Sequence, residues 1–228
     1  MKTVFLLAAS LIAIAGLTHA TGKTRVDLAL VLAIDCSYSV DETEFHQQVS
    51  GTAQAFLDPR VFEAILDGPH QRIAVSVMQW SSHDEQHQVV PWRLVANRSD
   101  LYALAQEISA LERRTQEGGT SISAAILEGL ALLDTAPFAS DRRVIDVSAD
   151  GENNNGPTIK EARAFALSKG VTLNGLTILN EVSYLNYYFE NRVIGGEGAF
   201  VEIASGYRDY SRAILRKLLR EIKGIVIS

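Results

Sequence analysis

Asp35, Ser37 and Ser39 alternate along Asp35-Cys36-Ser37-Tyr38-Ser39, a D-x-S-x-S arrangement that can turn three side-chain oxygens toward one point. A second stretch, Glu117-Gly118-Gly119-Thr120-Ser121, puts the Thr120 hydroxyl at a helix start, behind two glycines that let the backbone approach closely. A third, Ser148-Ala149-Asp150-Gly151, ends a buried apolar run on a carboxylate. Two carboxylates and three hydroxyls, if brought together, are expected to make a cage for a hard divalent cation. Mg2+ suits it, since that ion takes near-octahedral oxygen at about 2.0–2.1 Å and keeps several waters. Mn2+ and Ca2+ accept the same donors, whereas zinc prefers His or Cys, of which the constellation has Cys36 alone.

These donors do chemistry together only if the fold brings three distant segments to one place. Apolar, strand-like runs cover residues 26–34, 73–80, 89–95, 144–148, 171–179 and 199–204. Helical spacing of apolar positions covers 42–57, 101–111, 121–133, 159–168 and 207–223. The short polar connection 81–88 predicts a hairpin, so the third strand runs antiparallel to the second. Strands apolar on both faces, alternating with helices, require a sheet covered on both sides. The expected fold is α/β and doubly wound: a mainly parallel sheet of about six strands, one antiparallel edge strand, and helices on both faces. Ligands of such sheets bind where loops leave the carboxyl ends of the strands, which is where Asp35, Thr120 and Asp150 fall.

Composition narrows the function. The chain has 228 residues, 47% of them hydrophobic and 21% charged, which is an ordinary globular balance. One cysteine excludes a disulfide scaffold. Lys2 followed by the apolar run 4–17 and by Thr18-His19-Ala20 reads as a signal peptide, residues 1–20, cleaved after Ala20. The run is too short and too interrupted, by Ser10 and Gly16, for a membrane anchor, so no stable membrane insertion is expected after cleavage. The expected product is an exported, periplasmic or secreted domain spanning residues 21–228. It keeps 20 basic against 27 acidic side chains, a balance that argues against nucleic acid or anionic lipid as the main partner.

Asp35, Ser37, Ser39, Thr120 and Asp150-Gly151, in this order at strand ends and a helix start, resemble the metal-ion-dependent adhesion site of von Willebrand factor A domains. The resemblance covers essentially the whole mature chain. The stretches VVPW, RRVIDVSADGENNNG, NGLTIL, VIGGEGAF and RKLLREI are similar to an uncharacterised family of exported bacterial A-like proteins. The resemblance implies Ser37, Ser39 and Thr120 as direct ligands, with Asp35 and Asp150 acting directly or through water. It further implies a protein partner that completes the coordination with the carboxylate of an Asp or Glu. Tyr38 departs from the small residue common at its position and is expected to narrow access.

Competing readings exist for these and other residues. The bland one makes Ser37, Ser39 and Thr120 turn and cap residues and closes an Asx turn at Asp150. An EF-hand-like count over Asp150, Glu152, Asn154 and Glu161 fails on Asn155 and Pro157. His83-Asp84-Glu85-Gln86-His87 lacks the spacing of zinc-protease motifs and reads as a solvated turn. Tyr184, Tyr187, Tyr188 and Phe189 are either a recognition patch or packing, and Cys36 reads as a small buried hydrophobe. Three functions remain: adhesion through a cation, a metal-assisted hydrolase, or a structural domain with a vestigial site. The hydrolase lacks a general base, because no histidine adjoins the constellation. Nothing in the sequence fixes the oligomeric state.

Overall fold

The computed structural model describes residues 22–115 and 118–224. The expected signal, residues 1–20, and Glu117 lie outside the described residues.

Six strands form one sheet in the order β3-β2-β1-β4-β5-β6, with β1 Thr24–Asp35, β2 Ile73–Trp80, β3 Gln86–Val95, β4 Phe138–Ala149, β5 Thr172–Ile178 and β6 Val201–Ala204. All neighbours are parallel except β2 and β3, the predicted hairpin. Along β1 the side chains alternate between two cores. Leu28, Leu30, Leu32 and Ile34 pack with α1 Glu42–Leu57, α2 Pro59–Leu66, α3 Arg98–Ser109 and α7 Tyr210–Lys223. Ala29, Val31 and Ala33 pack on the other face with α4 Ile122–Thr135, α5 Ile159–Ser168 and the short α6 Leu185–Tyr188.

Three elements differ from the sequence expectation. Asp58-Pro59 ends α1 as expected but also starts α2: the Asp58 carboxylate accepts the Arg60 amide, and Pro59 occupies the first turn, where no donor is needed. β4 begins at Phe138 rather than 144, because the polar run Ser140 to Arg143 pairs with the start of β1. Arg142 there donates to the carbonyls of Glu221 and Ile222 at the end of α7, at 2.6 and 2.7 Å. The aromatic segment forms α6 followed by a π-helical turn, Phe189–Val193, whose Leu185, Phe189 and Val193 are buried while Tyr184 and Tyr187 stay exposed.

Gly175 in β5 is what lets this segment dock, because a Cβ there would overlap the Phe189 ring. Gly175→Ala is therefore expected to destabilise by roughly 1–3 kcal/mol, the usual cost of overpacking. The check is a lower urea midpoint at unchanged slope.

Candidate metal centre

The sheet order reverses between β1 and β4, which are neighbours, so a crevice opens at their carboxyl ends. Asp35 is the last residue of β1, and Asp150 follows β4 directly. Asp35 is fully buried, its Oδ1 accepting the Ser37 amide at 2.7 Å and its main-chain carbonyl accepting Gln48 Nε2 at 2.9 Å. The turn carries the Ser39 hydroxyl to Asp150, where it donates to Oδ1 at 2.6 Å and lies 3.3 Å from Ser37 Oγ. Asp150 Oδ2 accepts the Tyr207 hydroxyl at 3.0 Å.

Thr120 is held from both sides by one asparagine. Its amide donates to Asn154 Oδ1 and its carbonyl accepts the Asn154 amide, both at 2.9 Å. The Thr120 hydroxyl faces Gly151, 3.7 Å from where a Cβ would stand. The Tyr38 amide donates to the carbonyl of Gly118 at 3.0 Å, joining the first loop to the second. Ser39 and Thr120 line one open depression of 380 Å3 with Tyr38, Glu152 and Glu181, and hydrogen bonds link Ser39 to Ser37 and Asp150 and Ser37 to Asp35. Tyr38 stands at its rim, 76% exposed.

Two carboxylates this close, out of water, resist being ionised together. Burial, with the charge of Asp150 adding to it, pushes the Asp35 carboxyl up to about 7. Burial also raises Asp150, with Glu181 contributing, against hydrogen bonds from Ser39 and Tyr207 that favour the charged form. Tyr207 is driven far above its ordinary range by burial and by the charges of Asp150 and Asp35, so it stays a proton donor. Cys36 is buried and pushed up to about 12, which leaves it a thiol that packs in the core. Asp35 Oδ2 has no hydrogen-bond partner among the described residues, although it is buried. Hydrogen bonds from Ser37 and the Asp150 main chain act against the rise of the Asp35 pKa, and a buried carboxylate beside a second carboxylate and the Ser37 and Ser39 hydroxyls offers oxygen donors that suit a hard cation.

Sequence reasoning missed the residues that hold this arrangement. Arg113, after α3, donates to the carbonyls of Val40, Cys36 and Ser37 at 2.8, 2.7 and 3.1 Å, clamping the first loop from outside. Asn153 and Asn154 bind the start of α4 through the amides of Ser123 and Thr120, and Ser121 makes no side-chain cap. Asn155 accepts the His83 amide and so ties in the solvated turn between β2 and β3. Gly156, at φ 80°, makes the approach to Ser121 that this stitching needs. The run of three asparagines after Asp150-Gly151 was the signal for it. The EF-hand count used Asn154 of this run and failed on Asn155; Asn153 and Asn154 serve as hydrogen-bond brackets for the start of α4.

A second group of metal-ligand types lies at the opposite end of the sheet, where Asp27, His70 and Asp141 bring ligand atoms within 4.8 Å of one another. Its members are engaged already. Asp27 accepts the amides of His70 and Arg72 at 2.8 and 3.3 Å, His70 Nε2 is 3.0 Å from Asp141, and Asp141 pairs with Arg25 at 2.9 Å. The group fastens the loop before β2 to the sheet.

Among solved structures, the chain is similar to proximal thread matrix protein 1 from the mussel byssus, with TM-score 0.64 and 15% identity over 88% of this chain and 49% of that one. One structure of that protein has a zinc-occupied MIDAS motif. A von Willebrand factor type A protein from Catenulispora acidiphila matches with TM-score 0.57 and 16% identity, over 86% and 43% of the two chains. The vWF domain of the type V pili tip protein Mfa5 from Porphyromonas gingivalis matches with TM-score 0.59 and 12% identity, over 89% of this chain and 98% of that one. The chain thus spans about half the length of the first of these structures. No curated protein sequence matches it. The family described as "Protein of unknown function (DUF1194)" matches residues 25–226, and the chain belongs to that family, with the fold of a von Willebrand factor A domain.

Proposed function

We propose that this is an exported protein-binding domain that holds a divalent cation on Asp35, Ser37, Ser39, Thr120 and Asp150 and engages a partner carboxylate there. The observation that carries the reading is the buried, unpartnered Asp35 Oδ2 beside the hydrogen-bonded set of Ser37, Ser39 and Asp150. In this reading residues 1–20 direct export and 21–228 form the working domain. The bound ion would supply an electrophilic point for an outside carboxylate, and the protein would supply its shape. Arg113 and Gln48 fix the first loop, Asn154 fixes Thr120, and Tyr207 aims Asp150. An all-oxygen set favours Mg2+ over zinc, and Mn2+ or Ca2+ fits the same donors.

The zinc-occupied MIDAS motif of the byssus protein and the pilus-tip setting of the Porphyromonas gingivalis relative support the reading. A hydrolase would need a base at the same ion. No histidine lines the depression among the described residues.

The test is capture. The mature chain, immobilised in Mg2+ and exposed to the exported proteome of its own cells, is expected to retain a protein that EDTA releases and that Asp35→Asn does not retain. Identical retention with and without chelator, by both baits, overturns the proposal.

A further inference from the structure

We infer that a second binding site, for a small hydroxylated anion of the sugar-acid or sugar-phosphate kind, lies at the amino ends of β4 and β5. The metal centre is at the other end of the sheet, and the two sites are independent.

Three observations carry it. A cavity of 580 Å3 opens between the starts of these strands, the end of α7 and the loop before β6, within the range of about 300–1,000 Å3 that small ligands occupy. Glu221 and Asn174 line it and are almost wholly buried. Oε1 of Glu221 accepts from Lys217 and Asn174, at 2.6 and 3.1 Å, whereas Oε2 is buried with no hydrogen-bond partner among the described residues. A buried anionic oxygen without a donor is a standing penalty, and a ligand that donates to it removes that penalty. At the mouth the exposed Arg220 lies over the Phe200 ring at 3.9 Å, and neither Arg220 nor Lys223 forms an ion pair among the described residues.

The floor of the cavity selects the donor. Lys217 already touches Glu221, and Arg142, which lines the cavity, donates to the Glu221 main-chain carbonyl at 2.6 Å. A ligand ammonium would enter beside two cations, so a neutral hydroxyl is the better donor to Oε2. Asn174 Nδ2 gives one hydrogen to Glu221 and has a second for a ligand oxygen. The mouth selects the charge. Of the charged side chains that line the cavity, Asp141 pairs with Arg25 and Arg143 with Asp134. Arg142, Arg220 and Lys223 then face Glu197 and Glu221, an excess of positive charge in a chain that is acidic as a whole. Behind Glu221, Lys217 and Asp146 offset each other. Arg142 also takes up the carbonyls of Glu221 and Ile222, which would otherwise turn the negative end of α7 toward an anion. Arg220 and Lys223 are thus placed to hold a carboxylate or phosphate while the hydroxyls reach Glu221 and Asn174.

The probes are gluconate and glucose 6-phosphate. Their matched compounds are hexanoate, which lacks the hydroxyls, glucose, which lacks the charge, and inorganic phosphate, which lacks the carbon skeleton. Each is titrated to about 10 mM, enough to read a millimolar Kd, into isotope-labelled mature chain. The titrations are run in EDTA at constant ionic strength, which keeps cations from the carboxyl ends of the strands, and the amide shifts of Asn174, Gly198 and Glu221 are followed by NMR. At least one of the two probes is expected to shift these amides and to bind about tenfold more tightly than its matched compounds, the scale of one charge-assisted contact. The tighter of the two identifies the anionic group. Arg220→Ala/Lys223→Ala, which alters exposed positions, is expected to weaken that probe by about tenfold. Glu221→Gln puts a donor where an acceptor stood and is expected to narrow the advantage over the matched compounds to about twofold, and the ligand series decides should that variant not fold. No shift at these amides from either probe, affinities equal to those of the matched compounds, or binding unchanged in Arg220→Ala/Lys223→Ala overturns the inference and leaves the metal reading untouched.

Discussion

Asp35→Asn is expected to abolish the stabilisation of the fold by divalent cations while leaving the metal-free protein as stable as the parent, or more so. Oδ1 of Asp35 accepts the Ser37 amide at 2.7 Å, and the asparagine keeps that acceptor. It loses the charge that burial and Asp150 disfavour, so the metal-free fold is relieved of a penalty. It also loses the anionic Oδ2 that has no partner among the described residues. In the parent chain, Mg2+ at about 100 times its dissociation constant adds roughly 2.7 kcal/mol to the native state. For a domain of this size that raises the melting temperature by about 5–10 °C. Calorimetric scans of both proteins with EDTA, Mg2+, Mn2+ and Zn2+ give the result directly. An unresponsive parent refutes the metal centre, and an equal response in Asp35→Asn removes Asp35 from it. A loss of 2 kcal/mol or more in EDTA, about the cost of stranding a buried polar group, would make Asp35 a structural acceptor instead.

The five candidate donors could be picked out of the sequence because they stand at or just after the end of an apolar strand or at a helix start, and strand ends in a parallel sheet share one rim. The alternation of Leu28, Leu30 and Leu32 with Ala29, Val31 and Ala33 was less explicit, because β1 is apolar on both faces and reads as one continuous run. The supports of the site were not legible. Arg113 lies in an irregular segment far from Cys36 in sequence, and nothing local distinguishes it from Arg114, yet its guanidinium closes the loop that Ser37 and Ser39 depend on. Tyr207 was assigned to the start of a helix, which is close to its 3-10 turn, but its bond to Asp150 spans 57 positions and follows no period. Long-range hydrogen bonds of this kind leave no pattern in a single sequence. The asparagine run was visible, within a stretch that carries the family resemblance, but its ligand chemistry was weighed as a failed calcium loop, because side-chain amides that bracket a distant helix look the same in sequence as amides that ligate an ion.

The contact between α7 and the sheet poses a different problem, and it carries the largest expected effect on stability. Lys217, on the inward stripe of α7, is completely buried between Asp146 of β4 at 2.9 Å and Glu221 of its own helix at 2.6 Å. Asn174 donates to the same Glu221 oxygen at 3.1 Å, and the Phe200 ring lies 4.8 Å from the ammonium. Burial alone would lower the Lys217 pKa, but the two carboxylates outweigh it and hold it above the ordinary value. Lys217→Met leaves two buried carboxylates without a cation and is expected to cost about 3–5 kcal/mol.

The loss should depend on pH. Burial, opposed by Lys217 and reinforced by Glu221, pushes Asp146 up to about 7, so its contribution to stability is complete below its unfolded value of 3.8 and lost as pH rises through about 7. Without the ammonium that ionisation becomes more unfavourable, so the gap between variant and parent should widen by roughly 1–2 kcal/mol from pH 5 to pH 8. Urea denaturation at both values measures it. The combined replacement Asp146→Leu/Lys217→Met/Glu221→Leu removes every charge at once and should recover most of the loss, since apolar groups of similar size can replace a buried ionic cluster without net cost. A loss under 1 kcal/mol in Lys217→Met, or the same loss at pH 5 and pH 8, would mean that water already reaches these carboxylates. In that case α7 is held by its apolar stripe of Tyr210, Ala213, Ile214, Leu218 and Ile222 and by the Arg142 bonds to its last carbonyls.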